Sequence, residues 1–368
     1  MKHINTEKIY IITINDFENY GNRLQNYAVQ YVLRELGFEA ITLFFIDNPV
    51  SLINRMKYYF HKTTGFRYAI NKDYWIKWKS SLDKMKRFNA FNKKHIMSKF
   101  IKKISDIVPA DYYVLGSDQV WNVQWYSQEG IIKEMFLLAF AEPERRVCFS
   151  PSFGIEELPD QWVPWFREQL MKFPLISVRE ESGARIIKRL TGKEAIVTID
   201  PTLMLDQIEW KKIAIKPKGI DCDSEYILAY FLGEVTGKAQ SDVDAYAKQI
   251  GARVLKMTDR MQYESCIADP AEFLYLISRA TLILTDSFHA CVFSFLFGRP
   301  FLLYKREGKD DMMSRLDTFL DKFGLRRKYV ESGLENELLE CDYSSAYGVL
   351  ASERKKVIDF LKKSMHLS

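Results

Sequence analysis

The sequence lacks the features that mark membrane-spanning, secreted and metal-binding proteins. It has no run of about 18 apolar residues, the length that a transmembrane helix needs. Residues 1–8 contain no apolar segment of the kind found in a signal peptide. The five cysteines show no CxxC spacing, so they predict buried free thiols rather than disulfides or a zinc site. We therefore expect a cytoplasmic protein.

Glycine is scarce in the first predicted loop, and histidine is scarce in the chain as a whole. The loop 15–23, after the first predicted strand, holds only Gly21, so the chain has no GxGxxG dinucleotide fingerprint there. Only five histidines occur, and four of them lie near the termini or in a basic stretch. The fifth, His289, is the one placed where chemistry is expected.

The stretch 281–298 combines an apolar run with a polar corner. Leu282 to Leu284 predict a buried strand, and the apolar residues from Ala290 onward predict a helix. Between them lie Asp286, Ser287 and His289. Because a helix cap needs only one such residue, the three together predict an anion-binding site at the start of a helix. No third ligand follows at metal spacing, so we predict no metal.

Other apolar runs also end in polar clusters, as the strands of a parallel sheet do. These clusters lie at residues 15–23, 116–122, 150–154, 179–183 and 200–202. Hydrophobic periodicity is lost over 211–224, which predicts a domain boundary. We therefore expect an α/β protein with a first domain over 1–212, a second over 223–343, and a C-terminal helix over 344–368 that crosses back to the first.

The positive charge is concentrated in one segment. Residues 54–105 hold 15 Lys and Arg against two acidic residues, so this segment carries +13 while the whole chain carries +5. Aromatic residues are interleaved with these cations. The mixture suits an anionic membrane surface, and a weaker alternative is a nucleic acid. It also suits a helical insertion whose aromatic side chains pack inward and whose lysines face solvent.

Five blocks, taken together and in order, resemble the polysaccharide pyruvyl transferase family from about residue 10 to about 305. They are Tyr20-Gly21-Asn22-Arg23-Leu24-Gln25-Asn26-Tyr27-Ala28, Leu115-Gly116-Ser117-Asp118-Gln119-Val120-Trp121-Asn122, Ser177-Val178-Arg179-Glu180, Asp200-Pro201-Thr202-Leu203 and Thr285-Asp286-Ser287-Phe288-His289. The resemblance implies two Rossmann-like domains facing a cleft, similar to the B-type glycosyltransferase fold. It also implies transfer of a pyruvyl group from phosphoenolpyruvate to a sugar as a ketal.

This resemblance implies roles for residues on the donor side. His289 is the candidate general acid or a phosphate-binding cation, and Asp286 either orients it or acts as base. The donor would be bound by Arg179, Ser287, Lys305 and Arg306, with the register of the last two left open. Phosphoenolpyruvate is a co-substrate, and no cofactor or metal is expected. The sequence departs from the family pattern at Ala290, where a glycine is usual, and in the length of the segment 54–105.

On the acceptor side, we expect a sugar or a lipid-linked oligosaccharide, with a surface polysaccharide or its precursor as the product. The candidate acceptor-binding residues are Asn19, Tyr20, Asn22, Arg23, Ser117, Asp118 and Trp121. The alternative function is a glycosyltransferase that uses a nucleotide sugar in the same cleft. A non-enzymatic glycan-binding protein would need fewer polar strand ends. Nucleic acid is not the expected partner, and a homo-oligomer is compatible with this picture.

Overall fold

The structure is a computed structural model that describes residues 7–16, 18–45, 72–126, 131–259, 261–306, 313–332 and 341–367. Its first lobe is built on a sheet of five parallel strands in the order β3-β2-β1-β4-β5. The strands are β1 (Lys8–Ile12), β2 (Glu39–Phe45), β3 (Ser98–Ile101), β4 (Tyr112–Leu115) and β5 (Arg146–Cys148). Two shorter parallel strands, β6 (Ser177–Val178) and β7 (Ile196–Val197), form a separate pair. The backbone N–H of Arg179 donates to the carbonyl of Pro151 at 3.0 Å, which places this pair beside the end of β5.

Helices cover the first sheet. They are α1 (Tyr20–Glu35), α2 (Lys72–His95), α3 (Ile132–Met135), α4 (Val163–Met171), α5 (Glu181–Thr191) and α6 (Gln207–Ile213). Helix α1 begins inside the predicted loop 15–23, and its N-cap is Asn19. The Asn19 side chain accepts the backbone N–H of Asn22 at 3.1 Å, which satisfies one free donor of the first turn. Residues predicted to lie in a loop therefore lie on the first turn of a helix.

The second lobe has four parallel strands in the order β11-β10-β8-β9. The strands are β8 (Tyr226–Tyr230), β9 (Arg253–Lys256), β10 (Leu282–Thr285) and β11 (Phe301–Leu303). Its helices are α7 (Gly237–Ile250), α8 (Tyr263–Cys266), α9 (Pro270–Arg279), α10 (Phe288–Leu296), α11 (Met313–Lys322) and α12 (Ser344–Ser364). Two Rossmann-like lobes thus face each other across a cleft, as in the B-type glycosyltransferase fold.

Strands β8 and β10 correspond to continuous apolar runs in the sequence. Every residue of both strands is buried, because the helices cover the two faces of the parallel sheet. After β10, Ser287 caps α10 by accepting the backbone N–H of Ala290 at 3.4 Å. The predicted corner between a strand and a helix is present, and its polar residues lie at the edge of the sheet that faces the cleft.

The lobes are joined by aromatic packing and by the C-terminal helix. Tyr20 of α1 stacks on Phe273 of α9, with ring centroids 4.4 Å apart and planes within 1°. Helix α12 lies against the first lobe, where Arg354 donates to the carbonyls of Leu203 and Leu205 at 2.6 and 2.7 Å. Residues of both lobes are therefore in direct contact on one side of the cleft.

The basic segment is only partly an insertion. Residues 54–71 lie outside the described residues, whereas α2 and β3 are integral to the first lobe. Phe88 and Phe91 are buried in the core, and β3 pairs with β2. Met97 and Phe100 remain about half exposed, at 48% and 53%. Within the described ranges, none of the helices is both long and apolar enough to cross a membrane.

The polar cluster predicted at 179–183 lies mostly in a helix. Strand β6 ends at Val178, and α5 already begins at Glu181. Glu180 has extended backbone angles and serves as the N-cap, so the polar residues after Arg179 form the first helical turn rather than a loop. Arg179 therefore lies between a strand end and a helix start.

Candidate active site

Arg179 is the centre of the polar cluster in the cleft. It follows β6, its side chain is 2% exposed, and its Nη1 donates to Oδ2 of Asp200. Its Nη2 lies 3.7 Å from Oδ1 of Asp118. Burial opposes the charge on Arg179, but the two carboxylates outweigh it and raise the pKa of the guanidinium. The arginine is therefore charged and already paired.

Asp200 connects the two lobes. Its Oδ1 accepts the backbone N–H and the hydroxyl of Thr202 at 2.9 and 2.6 Å, and its Oδ2 lies 3.8 Å from Nε2 of His289. Burial would raise the pKa of Asp200, but Arg179 and His289 hold it well below its usual value. The sequence placed Asp200 in a matching block but not among the site residues. The sequence signal that could have identified Asp200 as a site residue is its position just after the end of β7.

Asp118 has a backbone conformation that is uncommon for a residue with a side chain. Its φ is 75°, in the left-handed region, and its Oδ2 accepts the side-chain N–H of Asn22 at 2.7 Å. Burial opposes ionisation, yet Arg179 and His289 lower the pKa of this carboxyl group. An ionised and oriented carboxylate results, at the end of β4 and close to the second lobe.

His289 reaches from the second lobe to the first turn of α1. A Cβ atom added at Gly21 would lie 1.9 Å from Nδ1 and 2.2 Å from Cγ of the imidazole. Within the part of the chain that the structure describes, Nε2 of His289 has no hydrogen-bond partner, although it is buried. The ring is therefore held by packing, with one nitrogen available to a ligand.

Asp286 has a different environment from the one that the sequence suggested. Its carboxylate accepts the backbone N–H groups of Leu232 and Gly233 at 2.7 and 2.8 Å, and Nε of Arg306 at 3.0 Å. These bonds join the loop after β8 to Arg306, whereas Lys305 is exposed. Asp286 thus orients Arg306 and the loop rather than His289.

The acceptor candidates are divided between the cluster and the core. Asn22, Ser117 and Asp118 belong to the cluster, where Ser117 donates to Oδ2 of Asp200 at 3.4 Å. Trp121 is fully buried and donates to the carbonyl of Phe136 at 3.0 Å. Such burial favours a packing role.

Three further acceptor candidates lie at α1. Tyr20 is fully buried against Phe273, and Arg23 is fully buried with Nη2 donating to the carbonyl of Ile14 at 2.8 Å. Asn19 serves as the helix cap described above. Each therefore has a structural role. The sequence alone does not distinguish that role from acceptor binding, because side-chain burial and capping are set by the folded structure.

Arg315 is a cleft residue that the sequence did not reveal. It lies on α11, is 7% exposed, and its Cζ is 5.9 Å from the centroid of the Phe288 ring. The Cζ of Arg179 is 5.1 Å from the same centroid. Nothing in the amphipathic pattern of α11 distinguishes Arg315 from a surface arginine.

A family model described as polysaccharide pyruvyl transferase matches residues 19–307. The chain belongs to the polysaccharide pyruvyl transferase family. The matched region includes Arg179, Asp200 and His289, and it ends before Arg315. In the part of the chain described here, no group of three or more His, Cys, Asp or Glu side chains could hold a metal ion.

Two solved structures can be superposed on nearly the whole of this pyruvyl transferase family member, at low identity and low TM-score. A putative UDP-N-acetylglucosamine 2-epimerase from Listeria monocytogenes is 10% identical, with 98% of this chain and 90% of that chain covered and a TM-score of 0.44. MurG from Acinetobacter baumannii is also 10% identical, with 97% and 99% covered and a TM-score of 0.41. No curated protein matches the sequence.

Proposed function

We propose that this protein transfers the pyruvyl group of phosphoenolpyruvate to a sugar as a ketal. The observation that carries the proposal is His289, whose available nitrogen lies beside the Arg179–Asp200 pair at the junction of the lobes. A proton donor and fixed cations in one place suit a substrate that carries a phosphate and a carboxylate.

The reaction needs one proton donor and one proton acceptor. An acid protonates the methylene carbon of the enol while a sugar hydroxyl adds to the neighbouring carbon and loses its proton. Inorganic phosphate then leaves as the C–O bond to it breaks, and a second hydroxyl of the same sugar attacks the oxocarbenium centre, loses its proton to the departing phosphate and closes the ketal. His289 supplies the first proton. Asp200 stays ionised, with its Oδ2 3.8 Å from Nε2 of His289, and Asp118 is a second ionised carboxylate of the same cluster.

Phosphoenolpyruvate is expected to stabilise the protein against heat, whereas nucleotide sugars are not. Binding at a hundredfold excess over Kd contributes about 2.7 kcal/mol to the free energy of unfolding. The measurement is the Tm of the full chain with phosphoenolpyruvate and with a panel of nucleotide sugars at constant ionic strength. Stabilisation by a nucleotide sugar alone would instead indicate a glycosyltransferase.

We further propose that the acceptor is lipid-linked and that the protein works at an anionic membrane surface. Exposed Met97 and Phe100 lie beside Lys99, Lys102 and Lys103, in or next to β3, which is an edge strand of the sheet as described. Lysines near an anionic bilayer contribute about 1 kcal/mol each. Exposed apolar side chains among them would enter the lipid headgroup region.

Reversing these charges is expected to abolish binding to anionic vesicles. The variant is Lys99→Glu/Lys102→Glu/Lys103→Glu, because deleting the segment would remove α2 and β3 from the first lobe. The control is Lys211→Glu/Lys248→Glu/Lys355→Glu, which changes the net charge equally at scattered exposed sites. Vesicle co-sedimentation in low salt checks the difference. Equal loss in both variants would argue against a local membrane site.

A further inference from the structure

Arg315 is a buried cation for which the rest of the protein provides little compensation. In the described ranges it makes no ion pair, and its Nε has no hydrogen-bond partner. Burial and the neighbouring Arg179 lower the pKa of Arg315 to about 10, so it remains charged at neutral pH. A buried charge of this kind lowers stability unless a ligand pairs with it.

The two arginines beside Phe288 differ in what they can still bind. Arg179 is paired with Asp200 and lies near Asp118, so part of its charge is already neutralised. Arg315 has no carboxylate within 4 Å among the described residues, and Asp118 and Glu180 act on it from farther away. Its guanidinium can therefore neutralise the more highly charged group of an incoming ligand. The planar fork of an arginine matches phosphate with two parallel hydrogen bonds.

Space between the two arginines exists but is small. A cavity of about 20 Å³ is lined by Arg179, Arg315, Phe288 and Asp200 among others. This is room for about one water molecule. Because a phosphate is larger, the lobes or the α11 side chains must move apart when it binds, as is common for sites between two lobes.

We propose that Arg315 bonds the phosphate group of the donor while Arg179 bonds its carboxylate. The inference rests on the proposed function for the identity of the donor. The anion site itself rests on the geometry around Phe288. Arg315 lies outside the region that the family model matches, so it adds to what family membership implies.

The affinities for fragments of the donor distinguish the role of Arg315 from that of Arg179. The test measures affinity of the full chain for phosphoenolpyruvate, inorganic phosphate and pyruvate at constant ionic strength, by titration calorimetry or thermal shift. Arg315→Gln is expected to weaken binding of phosphoenolpyruvate and phosphate by about 10- to 100-fold, as loss of a charge-assisted hydrogen bond does. Pyruvate affinity is expected to change less than about twofold. Arg315→Lys, which keeps the charge without the fork, should be intermediate.

If Arg315 had a purely structural role, Arg315→Gln would lower the Tm of the ligand-free protein and leave the affinity for phosphate unchanged. Because Arg315→Gln removes an uncompensated charge, the Tm of the ligand-free protein should stay equal or rise. The matched control is Arg326→Gln. Arg326 lies beyond the C-terminal end of α11 and makes partly exposed ion pairs with Asp317 and Asp321. Arg326→Gln should leave all three affinities unchanged. If Arg315→Gln does not fold, Arg315→Lys gives the same comparison with a smaller loss.

The outcomes distinguish this inference from the proposed function. Wild-type binding of phosphoenolpyruvate that persists in Arg315→Gln would overturn the inference and leave the proposed function standing. Phosphate binding that depends on Arg315, without any binding of phosphoenolpyruvate, would retain the anion site and overturn the proposed function. A lower ligand-free Tm with unchanged phosphate affinity would also overturn the inference, because it would show a structural role.

Discussion

Gly21→Ala is expected to lower the rate of pyruvyl transfer about as much as His289→Ala does, by roughly 10²- to 10⁴-fold, the usual contribution of a general acid. The added methyl carbon would lie 1.9 Å from Nδ1 of His289, well inside van der Waals contact. The imidazole must then leave its place beside Asp200. Release of inorganic phosphate from phosphoenolpyruvate, with acceptor present, measures the rate.

A second glycine provides the matched control for this substitution. Gly348 lies within α12, and a Cβ atom there would meet nothing within 4 Å. Gly348→Ala should leave the rate unchanged and add about 0.5–1 kcal/mol to the free energy of unfolding. The double variant Gly21→Ala/His289→Ala should be no slower than His289→Ala alone. A wild-type rate in Gly21→Ala would mean that His289 does not act from this position.

Arg179→Gln is expected to lower the free energy of unfolding by about 3–5 kcal/mol, the usual cost of breaking a buried ion pair. The reason is that Asp200, whose side chain is fully buried, would keep its charge and lose its main cation. Chemical denaturation with urea measures the loss. The double variant Arg179→Gln/Asp200→Asn should recover much of it, since both charges are then gone.

The pH dependence of the free energy of unfolding tests the Arg179–Asp200 ion pair in a second way. The folded pKa of Asp200 is depressed, so its contribution to stability is present above the unfolded value of about 3.9 and is lost as the pH falls below it. Asp200→Asn should therefore show a weaker loss of stability in acid than the wild type. Arg189→Gln, which breaks an exposed pair with Glu157, should cost about 0–1 kcal/mol. Equal effects of Arg179→Gln and Arg189→Gln would contradict the buried-pair argument.

Sequence reasoning succeeded where the signal is local. The apolar run of β10 followed by Asp286, Ser287 and His289 predicted a strand and a helix start, and both are present. The anion-binding role of this corner stays a prediction. Local reasoning was wrong about residues 20–23, which were predicted to lie in a loop and instead form the first turn of α1. The loop holds several amides that could cap a helix, so the sequence does not fix where the helix begins.

The amino-acid sequence by itself determined the two parallel sheets, the polar ends of their strands and the family to which the chain belongs, because each depends on the order of neighbouring residues. Only the tertiary structure decided which polar residues meet. The approach of His289 to Gly21 and Asp200, and of Arg315 to Arg179, joins residues of different lobes. The reason is physical: these contacts depend on how the lobes pack through Tyr20, Phe273 and α12, and no local pattern encodes that packing.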